Sequence, residues 1–423
     1  MAPREQALPQ SIPSKPAWQH ALSLTEQVNS CAISADGARV VAGTSQEFGQ
    51  GQFAVVCFDA DGNQRWRQPV GTPQAYQGVF WVAISADGTT VAAGGELADG
   101  SSGFLVAFDG GTGASLYENT ALPARVNQVS LSDDGNTLLA CYLDTIALYR
   151  RGSTPVFAQV DTYSVAAHHT IESAMLSGDG TRAVAGSIHY VQSATTSATA
   201  SATAGSTATA TVGAVVSASI SPVGGFEDIT TTDFDSGVMR VAVTADGSAW
   251  GGALHDASCV CFLAGATRLP VWRHRCPVAA NIAYAFDIAG SASGTVSLAY
   301  GVNLVADPDP GAPQGAVISL TCDAQATPPV PVQRWCTPTR FAVNPGVSLD
   351  RAATLVTATD GKPDPGHETT ESAGNFYLFD NIANSLLWSY PTPKMNWPMA
   401  IAANGRAIVG ASDDGRVYYW AGA

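Results

Sequence analysis

The chain has 423 residues, enough for two or three ordinary domains or one large repeat domain. Its formal charge of −15 repels phosphate backbones, so no nucleic-acid partner is expected, and no apolar run approaches membrane-spanning length, so no membrane partner is expected either. Charged residues make up only 13%, against 42 Gly and 24 Pro, a composition of short strands and many turns rather than helices.

The opening stretch, MAPREQALPQSIPSKPAW, contains no apolar core of the kind a secretory leader needs. That points to the cytoplasm, with an exported protein lacking its leader as the alternative. Residues 1–14 read as an N-terminal tail. The first repeated element is CAISADGARVVAG from Cys31, and it returns as VAISADGTTVAAG from Val82. Ser-Ala-Asp-Gly between two apolar, β-branched runs is a tight turn: Asp offers an acceptor to the turn backbone and Gly takes the positive φ. Further copies are SLSDDGNTLLA (130–140), MLSGDGTRAVAG (175–186) and AVTADGSAWGG (242–252). Looser ones are FDIAGSASGTVSLAYG (286–301), AVNPGVSLDRAATLV (342–356) and AIAANGRAIVG (400–410), which makes eight.

Each copy leads into a third apolar run, such as FAVVCFD (53–59), FLVAFD (104–109), TIALY (145–149) or FYLFD (376–380). A short fourth run then carries an aromatic: Trp66, Tyr117, Phe157, Phe226, Trp272, Trp335 and Trp388. Four short strands per unit of roughly 45–60 residues is the period of a β-propeller blade. Eight first strands against seven terminal aromatics leave the last unit one strand short. SKPAWQHAL, near the N-terminus, presents Trp18 in the setting of RLPVW and SLLW. The expected fold is all-β: an eight-bladed β-propeller of four-stranded antiparallel blades, one domain across 1–423, closed by an N-terminal strand around Trp18 that completes the C-terminal blade. Seven blades with a degenerate sixth unit is the alternative.

CFDADGNQRW (57–66), AFDGGTGASLY (107–117) and LFDNIANSLLW (378–388) resemble the repeat of quinoprotein-type (PQQ-repeat-like) eight-bladed propellers, and the halves before them resemble WD40-like repeats. The resemblance covers nearly the whole chain and implies the propeller fold. No Trp-Asp dipeptide occurs, and the adjacent cysteine pair of many quinoprotein dehydrogenases is absent. PQQ is therefore not expected, and a quinone-dependent dehydrogenase is the last of the functional readings.

With strands A to D antiparallel, the A–B and C–D turns share one face and the B–C and D–A connections the other. The A–B turns are mostly short, whereas the B–C connections are long: TSQEFGQG, GELADGSS, YGVNLVADPDPGAPQG and TATDGKPDPGHETTESAG. Long loops are usually functional, so the loop-rich face is the candidate surface for a protein or small-molecule ligand. The longest insertion, 191–214 in the fourth unit, alternates Ser or Thr with Ala on both sides of Ala204-Gly205. It reads as a hairpin extending strands B and C and as a homo-oligomer contact, with a flexible linker as the alternative.

Topology gathers polar residues on that face. His168 and His169 enter the fourth unit, His189 lies at the base of the insertion, Asp233 and Asp235 enter the fifth unit, and His255-Asp256 lie in its B–C connection. Neutral imidazole beside carboxylate suits a divalent metal, or a general base oriented by an acid. The four histidines are the candidate catalytic residues. Tyr76, Trp81 and Trp397, at blade entrances, join Asp233, Asp235 and Asp256 as candidate ligand-binding residues, with inter-blade packing as the competing reading of the aromatics. Glu47, Glu96, Asp307, Asp309, Asp360, Asp364 and Glu368 read as an acidic rim. The eight cysteines read as free thiols, because Cys259-Val260-Cys261 is not C-x-x-C and no second pair completes a zinc site. No G-x-S-x-G, P-loop or dinucleotide motif occurs, and no resident cofactor is expected, with a divalent metal as the alternative. The first functional reading is a non-catalytic binding or scaffold propeller. The second is a lyase or hydrolase with a His/Asp site at the channel mouth.

Overall fold

The computed structural model describes residues 12–22, 27–50, 53–70, 75–97, 102–152, 154, 156–191, 210–265, 268–290, 294–307, 309, 311–343, 345–362 and 373–422. These hold thirty-two strands and no helix, arranged as eight antiparallel blades of four. Blade 1 shows the scheme, with strands A to D at Gln27–Ile33, Arg39–Gln50, Ala54–Asp59 and Gln64–Pro69. Strand B of blade 1 runs on to pair with the first strand of blade 2, Ala75–Ile84, and fuses those two blades into one sheet. The sixth unit is complete, with strands at Ala280–Gly290, Thr295–Leu304, Gly315–Asp323 and Val332–Thr339. The ring therefore has eight blades and not seven.

The repeated Ser/Thr-x-Asp-Gly turn does two jobs. Locally, Ser85 donates to Asp87 Oδ1 at 2.7 Å, and the same oxygen accepts the Thr89 amide at 3.0 Å. Ser132/Asp134, Ser177/Asp179 and Thr244/Asp246 repeat the bond. Gly88 takes φ +72°, which a side chain would strain. Burial alone would raise the Asp87 carboxyl, but the bonds from Ser85 and Thr89 outweigh it and hold it below its ordinary range.

The second job is between blades. The turn fixes backbone amides so that each reaches the next turn: Ala35 N donates to Ala86 O (2.9 Å), Ala86 N to Asp133 O (3.0 Å) and Asp133 N to Gly178 O (2.7 Å). Asp179 N continues to Ala245 O (2.9 Å), Arg351 N to Ala403 O (3.1 Å), and Asn404 N returns to Ala35 O (3.2 Å). A collar of backbone hydrogen bonds thus runs round one mouth of the ring. The two junctions without such a bond among the described residues flank blade 6, whose turn residues 291–293 lie outside the description.

The core lies between blades rather than in any one of them. Eight apolar clusters each combine two neighbours; one joins Val41, Val55 and Trp66 of blade 1 to Val79, Val91 and Phe104 of blade 2. The last two place Ile401 against Phe376 and Val409 against Val28, and so carry the packing through blade 8 back to blade 1. Close approach needs small residues on strand B. A Cβ on Gly94 would stand 2.4 Å from Val126 of the next blade. Strand D tryptophans clasp the following blade: Trp66 Nε1 donates to Gly110 O at 2.9 Å, Trp335 Nε1 to Asn381 Oδ1 at 2.9 Å, and Trp18 Nε1 to Ala60 O at 2.9 Å.

Trp18–Ala21 is the fourth strand of blade 8, paired with Arg416–Ala421 in the register Trp18↔Tyr419. Packing begins two residues inside the expected tail, at the buried Ile12, whose carbonyl accepts from Trp388 Nε1 at 2.9 Å. The insertion expected over 191–214 lies outside the described residues from 192 to 209. Beside it, Arg182–Val191 and Ala210–Ile220 pair as far as Val191↔Ala210.

Closure by this strand sets an expectation. Trp18→Ala should cost about 2–3 kcal/mol, less than a fully buried tryptophan because the ring is half-exposed. Deleting residues 12–22 should expose the edge of Arg416–Ala421 and cause aggregation or early unfolding. Urea denaturation of the parent and both variants checks this, and a deletion that unfolds at the parent midpoint rules out closure by Trp18–Ala21.

Candidate functional site

The A strands line a central lumen, and a repeated irregularity decides what they aim into it. In blades 1 to 5 the A–B register shifts once per strand, between Val28/Ser30, Val79/Trp81, Val126/Gln128, Ile171/Ser173 and Val238/Arg240. A bulge re-aims the residues beside it. Just past it, Trp81, Gln128 and Arg240 line a cavity of about 270 Å³, with Met175, Phe286 and Pro398 among its apolar walls. The Arg240 guanidinium lies 4.7 Å from the centroid of the Trp81 ring, across the lumen. Its Nη1 is 3.5 Å from Gln128 Oε1. Arg240 retains partial exposure because it faces the lumen, although protein surrounds it.

On the short-turn side the collar rims a second cavity of about 230 Å³, which shares Ile84 and Asp287 with the first. Arg351 of blade 7 reaches across it to Asp133 of blade 3, Nη2 to Oδ2 at 2.6 Å. Asp287 accepts the Leu349 amide at 2.7 Å and the Ile288 amide at 2.9 Å. Burial outweighs these bonds and pushes its carboxyl up to about 6.

At the loop-rich mouth the structure brings three histidines together. The His169 and His189 rings stack at 5.5 Å between centroids, and His168 lies 6.0 Å from His189. His189 Nδ1 donates to His168 O at 2.8 Å. His169 Nδ1 is 3.1 Å from Ser187 Oγ, but that serine is buried in strand B, where its oxygen accepts the Ala214 amide at 3.1 Å. His255 stands apart, its ring 6.4 Å from Tyr190. Burial lowers both His169 and His255, which favours neutral imidazoles.

The carboxylates take other partners. Asp256 pairs with Arg273 at 2.6 Å and Arg275 at 3.3 Å, and Asp235 pairs with Arg273 at 3.1 Å. Asp233 acts on His169 only through charge, favouring its protonated form against the stronger desolvation. Among the described residues no group of three or more His, Cys, Asp and Glu is placed to hold a metal ion. Trp397 donates to Asp413 beside the lumen, and Trp81 faces Arg240. Tyr76 lies in strand Ala75–Ile84, with its side chain outside the described residues.

Two residues read as acidic rim are buried instead. Glu96 is 7% exposed. Asp360 accepts from Phe341 N (2.9 Å), Asn375 N (2.7 Å) and Tyr377 Oη (2.6 Å). It supplies acceptors where the A strand of blade 7, interrupted near Pro345, shrinks to Ser348–Leu349. Asp307 and Asp309 are exposed, whereas the side chains of Glu47, Asp364 and Glu368 lie outside the described residues. Sequence reasoning missed Arg240, Gln128 and the Asp133–Arg351 bridge. One signal was present: Met239-Arg240 stands in an otherwise apolar first strand.

Asp287 yields a pH prediction. A carboxyl whose folded value sits above its ordinary 3.8 penalises the folded state once ionised, so its effect is absent below 3.8 and complete above about 6. Relative to Asp287→Asn, the parent should lose stability as pH rises across that window, by about 1–3 kcal/mol. Thermal melts of both proteins from pH 4 to 7.5 test it; parallel profiles would remove Asp287 from the account.

No family model matches the sequence, and no curated protein matches it. Among solved structures the chain is similar to the β-propeller domain of Cps50 (Swd1) from Myceliophteria thermophila, at 12% identity over 81% of this chain and 96% of that one, with a TM-score of 0.53. At that identity the likeness is one of fold, and it agrees with the blades: the chain is a β-propeller.

Proposed function

We propose that this chain is a non-catalytic binding propeller that presents the loop-rich mouth of blades 3 to 6 to a protein ligand. The observation that carries the reading is a row of ring contacts crossing from blade 4 to blade 5: His168, His189 and His169, then Tyr190 edge-on to His255. Rings hydrogen-bonded to their own backbone or to a buried serine are committed to structure rather than free for acid–base work. Tyr190 is 52% exposed and Leu143, on the adjoining turn, 46%. Exposed aromatic surface on a rigid frame suits a protein interface. Leu143, His168 and Ala257 hold left-handed backbone on this same arc (φ +48°, +71° and +63°), a conformation that favours functional positions.

The lyase or hydrolase reading has less support, because no described histidine is hydrogen-bonded to a carboxylate and Ser187 is buried.

The test is photo-crosslinking from position 190 in native extract, identification of the captured protein, and titration of that protein in purified form. Tyr190→Asp and Leu143→Asp should each weaken binding by about tenfold or more. Ile382→Asp, on a C–D turn at the other face, should leave it unchanged. Equal effects from both faces would overturn the reading.

A further inference from the structure

The lumen holds a cation that pairs with no carboxylate among the described residues. It is Arg240, on the A strand of blade 5. Five N–H donors meet one long hydrogen bond, at 3.5 Å to Gln128 Oε1. The Gln128 amide is itself committed: Oε1 accepts the Ala174 amide at 3.2 Å, and Nε2 is 3.0 Å from Met175 Sδ. Trp81 covers one face of the guanidinium but gives its edge no acceptor. Glu172 and Tyr284 act on Arg240 only through charge. An arginine stays protonated at physiological pH, and an enclosed charge without a counter-ion is costly.

The walls narrow the class of anion that would complete this site. Apart from Gln128, Ser130, Ser348 and Asp287, the cavity that holds Arg240 has mainly apolar walls, Val82 and Phe286 among them. Arg240 is the one cation among the described residues lining the cavity, so it offers a site to one anionic group. The other arginine near the lumen, Arg351, is already paired with Asp133. Apolar walls favour a hydrocarbon body over a hydrated phosphate, and about 270 Å³ is small for a ligand pocket. A planar fork matches a carboxylate with two parallel bonds.

We infer that the lumen beside Arg240 binds a small monocarboxylic acid with an apolar body, its carboxylate on the guanidinium and its body against Trp81 and Phe286. This site is separate from the protein-docking surface and does not depend on it. The collar-side cavity adjoins the site at Ile84 and Asp287, so the Asp133–Arg351 bridge lies across one way in.

Calorimetry on the full chain with benzoate, phenylacetate and hexanoate, each against its own amide and against inorganic phosphate, tests the inference. At least one acid should bind with one-to-one stoichiometry and roughly tenfold or more tighter than its amide, the share expected of charge-assisted bonds. Arg240→Met should abolish that preference without lowering the melting temperature. If Arg240→Met does not fold, Arg240→Lys keeps the charge, loses the fork, and should weaken the acid several-fold. The inference is overturned if acid and amide bind alike, if phosphate alone binds, if the preference survives in a folded Arg240→Met, or if Arg240→Lys binds the acid as tightly as the parent.

Discussion

Everything in this ring hangs on an amide-to-carbonyl bond between neighbouring A–B turns. An isolated blade buries one face at most, and its turns would be ordinary hairpin ends. Once each turn amide reaches the carbonyl of the next, as from Ala35 to Ala86 and from Ala86 to Asp133, the inner strands are held at one radius. The serine and aspartate of each turn fix the backbone that makes this possible, which is why the motif recurs so faithfully. The apolar clusters between blades then fill a geometry already set at the rim.

The architecture was legible because its signals are local and repeated. Turn chemistry, alternation and a terminal aromatic each occur once per unit, so errors in one copy were corrected by the others. Even the displaced strand at Trp18 followed from counting. Blade 7 was harder to read, because a buried Asp360 stands in for ladder bonds, and a buried acid looks the same in sequence as a solvated one. Its partners Phe341, Asn375 and Tyr377 are set by the fold, and spacing does not reveal them.

The site was legible in topology but not in distance. Connectivity put His168, His169 and His189 on one face, and they do meet. It also suggested that Asp235 and Asp256 would join them, but the nearby Arg273 and Arg275 take those carboxylates, as charge alone dictates at such separations. Trp81 was read as a blade-entrance aromatic, but Arg240 and Gln128 escaped notice because they lie on other blades far from it in sequence. Each is an unremarkable member of an apolar run until eight runs are bent into a circle.

The strand at Trp18 has a consequence for biosynthesis. It is made before the other described strands of the ring, yet its hydrogen-bonded neighbour, Arg416–Ala421, is made after all of them. Trp420 and the Ser14 carbonyl, joined at 3.0 Å, are 406 positions apart. Until that last strand is made the Trp18 segment therefore lacks its partner, and blade 1 shows an uncovered flank. Such long-range pairing slows folding, since the loop it closes spans almost the whole polypeptide. The low charge of the sequence offers little electrostatic protection in that interval. A cell making this protein has to shelter an open arc until the last strand of blade 8 emerges.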